Sequence, residues 1–148
     1  MKILIAEDSE QKIDDLKEFF DSFGRSDFTV SVARSFKEGV RLILAEEYDL
    51  VMLDMSMPTK GGSLNINNRS LAGRDILSTV RFNNISNVKF VIFSQFSEFG
   101  RHDEVVSLSE IYESLISEHG EIILGYVKYD SSSDSWKKSL KVALKGFL

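Results

Sequence analysis

The chain has 148 residues, 18 basic against 23 acidic side chains for a formal charge of −5, 43% apolar residues, no cysteine and two histidines. Those values fit one globular domain that buries roughly two thirds of its unfolded surface without disulfides or a structural metal. They argue against general nucleic-acid binding, leave a zinc site without ligands, and suit a reducing compartment such as the cytoplasm.

In chain order, short apolar runs alternate with stretches of helical periodicity. Lys2 to Ala6 reads as a buried strand, too short before Glu7 for a secretory signal or a membrane span. Ile13, Leu16, Phe19, Phe20 and Phe23 recur at helical spacing, and Gly24 supplies a stop. Phe28, Val30 and Val32 alternate as a strand does. Ser35 followed by Glu38 makes a capping box, in which hydroxyl and carboxylate each satisfy a free amide, ahead of Val40, Leu42, Ile43 and Leu44. Leu50 to Leu53 is a third strand. A polar stretch from Thr59 to Ser70 precedes a helix carrying Ile76, Leu77 and Val80, and Phe90 to Phe93 is a fourth strand. Val105, Leu108, Ile111, Tyr112, Leu115 and Ile116 form a helical stripe. Ile122 to Val127 is the fifth strand, and Ser131 to Ser133 lead into a last helix through Trp136, Leu140, Ala143 and Leu144 that is expected to reach Leu148.

Five strands, each followed by a helix, predict an α/β domain with a five-stranded parallel sheet covered on both faces, because parallel strands need right-handed crossovers. Ligands of such sheets sit at the carboxyl ends of the strands, near the topological switch point. Glu7 and Asp8 follow the first strand, Asp54 the third and Ser94 the fourth, with Lys128 at the end of the fifth. Taken singly, each reads as an ordinary cap, strand end or solvated charge. Together they deliver three carboxylates to one edge, where mutual repulsion calls for a cation. Oxygen ligands without thiol or imidazole favour Mg²⁺, which keeps water positions open to phosphate oxygens. The acidic loop Glu7-Asp8-Ser9-Glu10 does not suit flavin phosphate, and no glycine-rich nucleotide motif is present. A phosphatase with an aspartate nucleophile would carry an acid where Ser56 stands.

Lys2-Ile3-Leu4-Ile5-Ala6-Glu7-Asp8, then Asp54-Met55-Ser56-Met57-Pro58, Phe90-Val91-Ile92-Phe93-Ser94 and Lys128 resemble, in order and over the whole chain, the receiver domain of two-component response regulators. The resemblance implies a three-layer, doubly wound, flavodoxin-like (βα)5 fold. It also implies that a histidine kinase or phosphotransfer protein passes a phosphoryl group to Asp54, with Mg²⁺ held by Asp8, Asp54 and the Ser56 backbone carbonyl, and by Glu7 mainly through water. Lys128 would contact a phosphoryl oxygen, and the Ser94 hydroxyl would follow the phosphoryl group as a switch. Chemistry would be limited to Mg-assisted self-phosphorylation and dephosphorylation. The chain is expected to be a single receiver domain, 1–148, without an output domain, that signals to an unidentified downstream protein or pairs as a homodimer, with no nucleic acid or membrane insertion. A non-phosphorylated pseudo-receiver that acts as a protein-binding module is the alternative.

Several positions depart from the family pattern. Gly73-Arg74-Asp75-Ile76-Leu77 is the family-like lead into the third helix, yet Gly73 lies fifteen positions after Pro58. About eleven residues around 59–70 therefore look inserted, as a surface loop or a lid over the site. Ser94 and Lys128 are 34 positions apart, so the fourth helix or its lead-in, Gln95 to Asp103, is expected to be enlarged. Gln95 replaces a small residue. Tyr129 stands where the family has a proline after a cis bond, and a trans bond would re-aim the last loop. Gly125 stands where a switch aromatic belongs, with Tyr126 one place off and, by strict alternation, on the other face. Tyr126 could serve only if a bulge shifts that strand, so phosphate is expected to act mainly through Gln95 to Ile116.

Overall fold

The computed structural model describes residues 1–55, 57, 72–95, 98–99 and 106–148, with the backbone alone at 72, 98–99 and 106–108. Ser56, Pro58 and the 59–70 segment lie outside the described residues. The elements run β1 (Lys2–Ala6), α1 (Glu10–Asp21), β2 (Thr29–Ala33), α2 (Phe36–Ala45), β3 (Leu50–Leu53), α3 (Ala72–Phe82), β4 (Lys89–Ser94), β5 (Glu98–Phe99), β6 (Val106–Ser107), α4 (Leu108–His119), β7 (Ile123–Lys128) and α5 (Ser135–Ala143). Ser9 caps α1, its side chain accepting from the Lys12 amide, and Gly24 beyond its end takes a positive φ of 62°. Ser35 accepts from the Glu38 amide as expected, but the Glu38 carboxylate accepts from the Arg34 amide rather than from that of Ser35.

Strands β2-β1-β3-β4-β7 form one parallel sheet in that order, the α/β flavodoxin-like receiver fold. Alternate residues of each strand feed two cores. Leu4, Ala6, Val51, Leu53, Phe90 and Ile92 pack with residues of α2, α3 and α4, including Ile43, Ile76, Leu77 and Leu115. Ile3, Ile5, Leu50, Met52, Val91 and Phe93 pack with residues of α1 and α5, including Ile13, Leu16, Phe20, Trp136 and Leu140. Burial on both faces explains why the strands read as continuous apolar runs.

The lead-in after Ser94 is enlarged as expected: β5 and β6 form a short antiparallel pair outside the main sheet, and α4 begins only at Leu108. One expectation changes. The last helix stops at Ala143 instead of reaching Leu148. Gly146 adopts φ +84°, and this turn lets Phe147 and Leu148 fold back onto the α1–α5 core.

Candidate functional site

The switch point lies at the carboxyl ends of β1 and β3, where the chain winds outward in both directions. There Glu7, Asp8 and Asp54 each offer an oxygen within 4.8 Å of the others. The two deeper groups, Glu7 and Asp54, are each 2% exposed, and Asp8 is the most accessible of the three. Glu7 follows the Ile3–Ile5 side of β1 and Asp54 the Leu50–Met52 side of β3, so both project on the face covered by α1 and α5. Glu7 Oε1 accepts from the amides of Asp8 and Ser9, both at 3.1 Å. Burial first, and then the neighbouring Asp54 carboxylate, push the Glu7 carboxyl up to about 8 against the opposing pull of Lys12. Crowded hard oxygens of this kind fit a small divalent cation such as Mg²⁺, with Asp8 and Asp54 best placed to hold it.

Among the described residues, the cation that the structure brings into this pocket is Lys12. Its side chain is 2% exposed, with Nζ 2.5 Å from Glu7 Oε2 and 3.9 Å from Asp54 Oδ1. The ammonium also lies 5.6 Å from the Phe93 ring centroid and 5.9 Å from that of Tyr129. Sequence reasoning missed this residue, although a signal was present. Lys12 occupies the same helical stripe as Leu16, Phe19 and Phe20, so a charged side chain sat where periodicity demands a buried one.

Ser94 is fully buried at the end of β4, paired in register with Lys128. Lys128 itself is not brought to the carboxylates. It is exposed, makes no ion pair with Glu7, Asp8 or Asp54 among the described residues, and lines a cleft with Tyr112, Tyr126, Asp130 and Ser139. The cause is a bulge. Phe90 pairs with Ile123 but Val91 with Gly125, so Leu124 is an extra residue on β7. The bulge turns Gly125 toward Ala143 of α5 and Tyr126 toward Tyr112 of α4, the two rings 4.5 Å apart. Tyr126 thus pairs with Ile92, on the face that also carries Ser94, and the condition set for an aromatic partner on the fifth strand is met.

The residue of β7's end that lies on the carboxylate side is Tyr129. Its peptide bond is trans, its ring packs on Phe93 and Trp136, and its hydroxyl donates to Asp15 at 2.5 Å. Burial, then the bond to Asp15, push the phenol up. Gln95 is exposed beside Ser94. Gly73, the expected lead into the third helix, is the second residue of α3. A Cβ there would lie 2.7 Å from Met55 Sδ and 3.1 Å from the Asp54 carbonyl oxygen, so only glycine lets α3 dock this close behind Asp54.

No family model matches the chain. Over 146 residues, 95% of each chain, it is 36% identical to the Detocs response regulatory protein DtcB of Enterobacter cloacae. It is 28% identical over 147 residues to the uncharacterized protein y4jR of Sinorhizobium fredii, covering 97% of this chain and 96% of that one. Among solved structures, the response regulator TrrA of Thermotoga maritima in complex with Mg²⁺–BeF superposes with a TM-score of 0.61 at 21% identity, covering 97% of this chain and 98% of that one. A response regulator receiver domain protein of Methanospirillum hungatei gives 0.62 at 17%, covering 97% and 93%. The structures establish the likeness of fold, and the relationship to DtcB establishes kinship: this chain belongs to the response regulator receiver family.

Proposed function

We propose that the protein is a phosphoacceptor receiver that takes a phosphoryl group onto Asp54 and signals by protein contact in the cytoplasm. The observation that carries this reading is Asp54 itself, buried at the end of β3 with Glu7 and Asp8 within ligand reach and Ser94 at the end of the adjacent strand. A carboxylate oxygen of Asp54 forms a bond to phosphorus as the phosphorus–nitrogen bond of a phosphohistidine, on a histidine kinase or phosphotransfer protein, breaks. The electron pair leaves on the imidazole nitrogen. Asp54 needs no general base, because an ionised carboxylate has no proton to lose. Asp8 and Asp54, with the Ser56 carbonyl that the family resemblance adds, would hold Mg²⁺, which would supply charge stabilisation at the phosphoryl oxygens. Ser94 donates its hydroxyl to a phosphoryl oxygen, and Tyr126, on the same face, follows it and repacks against Tyr112. Its chemistry is confined to its own phosphorylation and dephosphorylation.

A second reading, a binding module that is never phosphorylated, draws on the Lys12 ammonium already seated among the carboxylates. Incubation with Mg²⁺ and acetyl phosphate, followed by intact mass, separates the two. The phosphoacceptor reading expects one added phosphoryl group in the wild type and none in Asp54→Asn. An unmodified wild type would favour the binding module.

A further inference from the structure

We infer that Lys12, on α1, and not Lys128 on β7, is the ammonium that neutralises the phosphoryl group on Asp54. The inference rests on the phosphoacceptor reading and assigns one of its charges to a residue on a different element. Strand geometry rules first. Asp54 and Glu7 share the α1–α5 face of the sheet, whereas Lys128 pairs with Ser94 and shares the opposite face with Tyr126. Side chains on a strand alternate, so a one-residue bulge in β7 changes which residue near its end faces the pocket. That residue is Tyr129, a neutral ring whose hydroxyl is committed to Asp15. A pocket that concentrates carboxylates must therefore draw its fixed positive charge from another element.

Helix α1 supplies it. Ser9 caps the helix, so Lys12 is its third residue. Side chains on a helix lean toward its N-terminus, and Lys12 on the sheet-facing side is thereby aimed back over the ends of β1 and β3. Its Nζ stands 3.9 Å from Asp54 Oδ1, too far for a hydrogen bond to that oxygen and within reach of an oxygen carried on it. An ammonium removed from water is held only where carboxylates and ring faces compensate it, and Glu7, Asp54, Phe93 and Tyr129 all do so here. Glu7 acts in this arrangement as a positioning residue. Its Oε1 is fixed by two amides while Oε2 meets the ammonium, so Lys12 is held at the pocket before phosphate arrives.

The test is beryllofluoride affinity in saturating Mg²⁺, read from backbone amide resonances, for the wild-type chain, Lys12→Met, Lys12→Arg and Lys128→Ala, with Mg²⁺ affinity measured separately for each. Lys12→Met is expected to weaken beryllofluoride binding about tenfold or more, the loss of a charge-assisted contact, while leaving Mg²⁺ affinity equal or tighter. Lys12→Arg should recover part of the loss, which a purely space-filling role would not predict. Lys128→Ala should bind as the wild type does. Should Lys12→Met not fold, the double variant Glu7→Gln with Lys12→Met removes the buried pair together and carries the same expectation against Glu7→Gln alone. Unchanged beryllofluoride affinity in Lys12→Met, or a loss confined to Lys128→Ala, overturns the inference. A wild type that binds Mg²⁺ but no beryllofluoride overturns the phosphoacceptor reading, and the inference with it.

Discussion

At the scale of single residues, Glu7 and Asp8 are chain neighbours with different surroundings. Two amides and an ammonium engage Glu7, whereas Asp8 is the accessible carboxylate of the cluster. Asp8→Asn should therefore weaken Mg²⁺ binding about tenfold or more in a calorimetric or resonance titration, and Glu7→Gln distinctly less. Equal losses would contradict the assignment of Asp8 as the direct ligand. His119, at the end of α4, gives a prediction away from the site. Its ring is buried with neither nitrogen hydrogen-bonded among the described residues, and burial, helped by Arg81 and Arg74 against Glu118, holds its imidazole below the ordinary value of 6.5. The unfolded chain then binds this proton more readily than the folded one, so stability is present above pH 6.5 and is lost as pH falls below it. Urea midpoints across that range should drop in the wild type and drop less in His119→Gln. Glu7, Asp8, Asp54 and Ser94 were all legible as residues that follow apolar runs. Lys12 was not, because a periodicity argument searches a helix for apolar residues and passes over a lysine, a type seldom fully buried without partners that only the fold reveals.

At the scale of elements, two contacts govern how the site is framed. Helix α3 approaches the end of β3 so closely that a methyl group at Gly73 would meet Met55 and the Asp54 carbonyl. Gly73→Ala should cost about 1–3 kcal/mol in urea unfolding, as overpacking does, and should slow acquisition of phosphate by displacing Asp54. Wild-type stability and rate together would show that the contact relaxes freely. The bulge in β7 is the second. With beryllofluoride and Mg²⁺, resonances of β7 should move in the wild type, and that movement should shrink in Tyr126→Ala, since Tyr126 shares the Ser94 face and stacks on Tyr112. Shifts limited to the neighbourhood of Ser94 in both proteins would instead support signalling through the segment 95–116. Element type and order were readable because both faces of the sheet are buried and the first two helices carry serine caps. The bulge was not, since one extra residue is defined by the partner strand's register, which a single strand's sequence does not contain.

At the scale of the whole molecule, two apolar cores on either side of one parallel sheet hold the strand ends as a rigid edge, and the acidic cluster is built on that edge. A cation bound there stabilises the folded chain by mass action, about 2.7 kcal/mol at one hundred times its dissociation constant. Mg²⁺ should accordingly raise the thermal midpoint of the wild type, and Asp8→Asn should reduce that gain. The central claim is that Asp54 carries the phosphoryl group, and the most direct measurement traps it chemically. After phosphorylation from a phosphohistidine donor, borohydride reduction of the acyl phosphate and peptide mass spectrometry identify the modified residue. The account predicts a single reduced site at Asp54, absent when Asp54→Asn is treated alike; a reduced site at Asp8 or any other carboxylate, with Asp54 intact, would contradict it.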